Sequence, residues 1–226
     1  MGYQKTKGRS MEKQELKELT VSIFERLRQA IKKGDNEKAL ALTDEIDRNK
    51  HDFDESYRIW IDLLLTYIAD KLGEEALYEI HRINGERALW PRLGWILEPI
   101  SPEEKIRRRA YSWTHWHGTT IDAIEEDEEK FTLRIKCDSG GSIRMWPQYG
   151  KTKEAHPWSW GQKGVCYYCA HCPVVFEIMA IEKAGNPAWL CNPQPEGRCI
   201  HYLYKNPANV PEKFYKRIGM KKKTAK

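Results

Sequence analysis

The chain has 226 residues, with 38 Lys and Arg against 33 Asp and Glu for a net charge of +5. That length buries a core without disulfide staples, and so mild an excess, three charges of which lie in Lys221–Lys223, argues against a basic stripe that tracks phosphates. No apolar run approaches the roughly 18 residues of a membrane span and no apolar signal core follows Met1, so the expectation is a cytoplasmic protein without a membrane partner. In a reducing compartment, six cysteines gathered between Cys137 and Cys199 are expected to be ligands or reactive thiols.

Residues 1–10 are polar and aperiodic, as in a disordered leader. From Met11 to about Lys33 the apolar positions Leu16, Leu19, Ile23, Leu27 and Ile31 recur at helical spacing, and Gly34-Asp35 ends the pattern. A second helix fits Asn36 to about Arg48, and a third fits Asp54 to Leu72, closing at Gly73. A fourth runs from Glu74 to Leu89, with Pro91 as its stop. Residues 11–90 thus read as a helical domain, suited to homodimer formation, and 91–110 as a connector.

Beyond it the composition changes. Six of the nine tryptophans and all six cysteines fall between Trp113 and Cys199. Residues 119–126 and 131–137 read as two strands, Asp138-Ser139-Gly140-Gly141 as a turn, and Ile143-Arg144-Met145-Trp146 as a returning strand. Period-two alternation puts Phe131, Leu133, Ile135 and Cys137 on one face. Pro173 after Cys172 marks a helix start, Gly185 and Pro187 its end, and Ile200–Tyr204 a further strand before a short helix over Glu212–Ile218. The fold class is therefore α+β, with residues 111–218 a Cys/His/Trp-rich, β-containing metal-binding domain and 219–226 a basic tail.

The chemistry concentrates in Cys166-Tyr-Tyr-Cys169-Ala-His-Cys172-Pro173, with Cys191, Cys199 and His201 downstream. Three thiols at three-residue spacing plus one distant ligand satisfy tetrahedral zinc, and the same set can hold a [4Fe–4S] cluster. Metal ligands are therefore expected among Cys166, Cys169, Cys172, Cys191 and Cys199. In Trp113-Thr114-His115-Trp116-His117-Gly118 an extended backbone would set His115 and His117 on one face, about 7 Å apart, as an acid and base pair. Cys137, at a strand end beside a turn rich in amides, is a candidate nucleophile or further ligand. Trp113, Trp116 and Arg144 are the candidate substrate-binding residues.

The sequence carries no Walker loop, dinucleotide fingerprint, Gly-x-Ser-x-Gly elbow or His-Glu-x-x-His helix. The favoured reading is a metal-dependent enzyme, zinc first, of hydrolase or lyase type acting on a small organic substrate. Two others stand beside it: an iron–sulfur protein for electron transfer, sensing or dehydration, and a zinc-stabilised module that grips nucleic acid through Arg107–Arg109, Lys221–Lys223 and exposed aromatics.

Overall fold

The computed structural model describes residues 20–222 and divides the chain into two compact units, Met1–Asp54 and Glu55–Lys226. Helices and a four-stranded antiparallel sheet make it a mixed α and β protein. No described helix is long and apolar enough to cross a membrane. The leader, the part of the first helix before Thr20 and the last four residues of the tail lie outside the described residues.

In the first unit, α1 (Ile23–Lys33) starts where the Ser22 hydroxyl accepts the Glu25 N–H at 3.2 Å and stops at Gly34, whose φ of 72° only glycine adopts without strain. The next helix, α2, runs from Asn36 to Leu72 as one piece of 37 residues. Two helices were expected here, parted after Arg48. The segment Asn49–Asp52 is polar and breaks the apolar stripe, but it holds no glycine or proline, so nothing interrupts the backbone ladder.

The second unit continues from α2 through α3 (Glu75–Asn84), a π turn at Gly85–Leu89 and α4 (Trp90–Leu93). Pro91 does not stop this path: it falls in the first turn of α4, where a missing N–H costs little. Gly85 has a packing reason, because a Cβ there would stand 2.8 Å from the Met179 sulfur. After α5 (Pro102–Trp116) come β1 (Thr120–Glu126) and β2 (Lys130–Lys136), then α6 (Gly140–Arg144).

In place of the strand expected at Ile143–Trp146, Ile143 and Arg144 end that helix and Met145 and Trp146 lie in the turn after it. Gly140 and Gly141 are buried, Ser142 N–H donates to the Cys137 carbonyl at 3.1 Å, and Ile143 N–H to that of Ser139 at 3.2 Å, which winds the chain before it can extend. The sheet is completed by β3 (Leu190–Pro193) and β4 (Arg198–Tyr204), in the order β1-β2-β4-β3. Against its inner face lies a π-helical stretch, Cys172–Ile178, that passes into α7 (Met179–Ala184). Residues 173–181 are all buried, so this helix is central to the core with Leu77, Ile96, Leu133, Ile135 and Tyr215. A final helix, α8 (Glu212–Lys216), precedes the tail.

The long segment before the thiols is tied down by two carboxylates. Asp62 accepts the Gly150 N–H at 3.1 Å, and Glu74 takes the N–H groups of Lys153 and Glu154 at 2.5 and 3.2 Å, His156 Nε2 at 2.7 Å and the Tyr167 hydroxyl at 2.8 Å. These bonds fix the approach to Cys166 onto α2 and α3.

Candidate functional site

Strand register assembles one side of the site. Cys191 lies opposite His201, Pro193 opposite Cys199, and Cys199 and His201 opposite Ile135 and Leu133. Residues directly opposite share a face, so Cys191, Cys199 and His201 all point inward with the core. Cys137 follows β2 on the same side, and its N–H donates to the Gly197 carbonyl at 3.1 Å. The loop and the β3–β4 hairpin meet there so closely that a Cβ on Gly141 would collide with that carbonyl. The turn Tyr168–Ala170 and the start of the π-helical stretch bring in Cys169, His171 and Cys172, while α5 contributes Arg109 and Trp113 one turn apart. Gly140 lets Cys169 in, since a Cβ there would stand 2.5 Å from its sulfur.

All six cysteines are free thiols, and their titration is shared two by two: Cys137 with Cys199, Cys166 with Cys169, Cys172 with Cys191. The Cys199 thiol, with the Ser139 hydroxyl at 3.3 Å and the N–H groups of Ser139 and Gly141, holds Cys137 far below the usual thiol range despite burial. Those amides are the ones the Ser-Gly-Gly turn promised. Sharing with Cys137, reinforced by burial, pushes Cys199 up in return. Cys172 is held down by the Cys191 thiol and by His171, against burial, and Cys191 is pushed up by burial and by that same pairing. Sharing with Cys166, then burial, raises Cys169.

The nearby cations and imidazoles divide by environment. Burial pushes His171 down, but the Cys172 thiolate beside it outweighs this and lifts its pKa to about 9. Burial, with Arg109, His171 and Arg144 nearby, keeps His201 neutral, its pKa well below the histidine range. His81 is buried, donates from Nε2 to the Tyr167 carbonyl at 2.8 Å, and is lowered by burial to about 3. Arg144 donates to the Cys169 sulfur at 3.1 Å, the Cys199 sulfur at 3.6 Å and the carbonyls of Arg198 and Gln194 at 2.7 and 3.3 Å. It knits the thiol turn to the hairpin.

These groups surround one cavity of about 460 Å³. Five thiols line it, those of Cys137, Cys169, Cys172, Cys191 and Cys199, together with His171 and His201. Its other half is apolar, walled by Ile61, Leu65, Ile80, Leu89 and Leu93, and its rim carries the exposed residues Asn84, Ala88, Arg92 and His117. Among the described residues no three His, Cys, Asp or Glu side chains close around a point suited to a single metal ion. The donors are arranged as pairs about a space.

The expectation that His115 and His117 share a strand face is corrected. They sit at the end of α5, where two residues are about 200° apart around the helix. His115 turns outward and stacks on Tyr111 at 3.8 Å, while His117 lies at the cavity rim. Trp113 lines the cavity edge-on to His201, with ring centres 4.6 Å apart; Trp116 is in the helix, but its side chain lies outside the described part. Arg144, a candidate substrate-binding residue, spends its donors on sulfur and carbonyls. Of the expected ligands, Cys166 is not among the cavity-lining residues and borders a smaller hollow of about 140 Å³.

Arg109 and His171 went unseen as site residues. Helical phase could have found Arg109, four residues before Trp113, and His171 stands between two thiols. Comparisons of the chain with protein-family models, with curated proteins and with solved structures find no match.

Proposed function

We propose that the chain is a metal-dependent enzyme of lyase or hydrolase type, built on a cysteine-held iron–sulfur centre that faces a small-molecule chamber. The observation that carries this is one cavity lined both by five thiols and by the apolar side chains of Ile61, Leu65, Ile80, Leu89 and Leu93. Zinc would need four donors about 2.3 Å from one point, whereas the thiols here meet in pairs spread around a volume, as suits a centre in which sulfide bridges several metals. Arg144, half-buried and in contact with two of the thiols, supplies positive charge that an anionic cluster requires.

In this reading Cys137, Cys172, Cys191 and Cys199 are the ligands of choice, and Arg144 holds Cys169 and Cys199 in register through its N–H groups. Such a centre supplies electron transfer or, at an iron left open to substrate, Lewis acidity. His171, with Nε2 3.5 Å from the Cys172 sulfur, and His201, with Nδ1 3.4 Å from the Cys191 sulfur, are the groups beside the thiols that could carry a proton. Trp113 excludes water from the inner end. The nucleic-acid alternative loses support, because Arg109 of the basic run is buried and Arg108 is paired with Glu104 at 2.7 Å.

Elemental and sulfide analysis with a visible spectrum, on protein purified without oxygen, tests the proposal. Iron and sulfide in equal amounts with absorbance at roughly 400 nm, both lost in Cys172→Ala, is the expected result. One zinc and no colour would return the centre to a zinc site. A metal-free protein whose thiols titrate only after reduction would favour thiol–disulfide chemistry, which the pairing also suits.

A further inference from the structure

Arg109 is a cation that the protein leaves unanswered. It is 5% exposed, its Nε–H has no hydrogen-bond partner, and among the described residues no acceptor is hydrogen-bonded or ion-paired to the rest of its guanidinium. Arg144, by contrast, uses its donors on two sulfurs and two carbonyls. Three rings surround Arg109: the guanidinium carbon stands 3.9 Å from the ring centre of Trp189, 4.2 Å from Trp113 and 5.0 Å from Phe176. Rings attract the cation but offer its N–H groups no lone pair to accept, and Arg109 lines the cavity.

Burial without a hydrogen-bonded partner is destabilising for a guanidinium unless an anion completes it. The neighbouring thiols do not fill that role by contact, being taken up by one another, Arg144, Ser139 and His171. What fits a planar fork of donors is a carboxylate, held by two parallel bonds. A phosphate dianion would bring two charges to one guanidinium and set its remaining oxygens against Ile80, Leu89 and Leu93. The volume of about 460 Å³ lies in the range of small-molecule pockets, and the exposed Arg92 at the rim draws anions toward the mouth.

We propose that the cavity binds a small organic carboxylate, with its charged end on Arg109 and its hydrocarbon or aromatic body in the chamber walled by Ile61, Leu65, Ile80, Leu89 and Leu93. That this ligand is a substrate rests on the enzyme reading above; that it binds does not.

The test is calorimetric titration of metal-analysed, anaerobically purified protein with hexanoate and phenylacetate, each against its own amide, and with inorganic phosphate. At least one carboxylate binds about tenfold or more tightly than its amide, and phosphate binds more weakly than either acid. Arg109→Met keeps the metal-to-protein ratio and abolishes the preference. Leu93→Trp, which fills the chamber and spares Arg109, abolishes binding of both acids, so it carries the test if Arg109→Met does not fold. Acid and amide binding alike, no binding by protein with its full metal, phosphate binding as tightly as the acids, or unchanged binding in Leu93→Trp would each overturn the inference. Those outcomes leave the metal centre standing, whereas carboxylate binding by metal-free protein would spare this site and sink the iron–sulfur reading.

Discussion

Glu74 holds the segment that leads to the thiol turn, and replacing it with glutamine isolates what its charge contributes. Its two oxygens accept from two backbone N–H groups, His156 Nε2 and the Tyr167 hydroxyl, and its side chain is only 11% exposed. An amide keeps one oxygen, so the new NH₂ group must face donors that the second oxygen now satisfies. At least one hydrogen bond to a charged acceptor is lost, and a second is turned into a donor–donor contact. At roughly 1.5–3 kcal/mol for each such bond, less what the loop recovers by shifting, Glu74→Gln costs about 3 kcal/mol at pH 7.

Acid supplies the control. Burial raises the Glu74 pKa, but its hydrogen bonds outweigh this and hold it below the ordinary value of 4.5. A carboxyl lowered on folding stabilises the protein at pH above 4.5, and that contribution disappears as pH falls through the folded-state value. The difference between wild type and Glu74→Gln therefore shrinks on acidification. Urea unfolding followed by tryptophan fluorescence, run at pH 7 and at successive steps below 4.5, measures it. A gap under about 1 kcal/mol at pH 7, or one that stays constant into acid, would refute the reasoning.

The other predictions bear on packing around the thiols. Gly141→Ala forces a Cβ into the Gly197 carbonyl, a backbone atom that cannot step aside, and costs about 3 kcal/mol in urea unfolding. Gly140→Ala meets instead the Cys169 sulfur at the end of a side chain, so the stability loss is smaller, about 1 kcal/mol in the same assay, and Cys169 is displaced. Glu177 is fully buried and takes the Arg217 guanidinium at 2.6 Å, Trp160 Nε1 at 2.9 Å and the Cys191 N–H at 3.2 Å; Arg217→Met strands that carboxylate at a cost of about 3–5 kcal/mol in denaturant unfolding. The paired change to Met at both positions recovers part of that loss, because an apolar pair has no charge left to desolvate.

What the sequence revealed was mostly local. The Ser-Gly-Gly amides around Cys137, the helix after Pro173 and the strand pair 120–136 each follow from residues within a few positions of one another. The His115-Trp116-His117 stretch misled because aromatic density suggested a sheet, while the phase set by Ile106, Arg109 and Trp113 carries the helix to Trp116. β3 stayed hidden because it is four residues long and ends in proline, admissible here because it is an edge strand. The pairing of Cys137 with Cys199 and of Cys172 with Cys191 depends on register between distant strands, which no spacing in the chain encodes.

The strand order carries a consequence for how the molecule comes together. β4, the last strand made, is an inner strand, paired to β2 on one side and β3 on the other. Until residues 198–204 arrive, β2 has only β1 as a neighbour and β3 has none, so a nascent chain presents an open sheet edge able to recruit a stray strand. The same arrival delivers Cys199 and His201, so closing the sheet and completing the thiol lining of the cavity are a single late event of long sequence separation. A ribosome stalled short of Arg198 would display half of each.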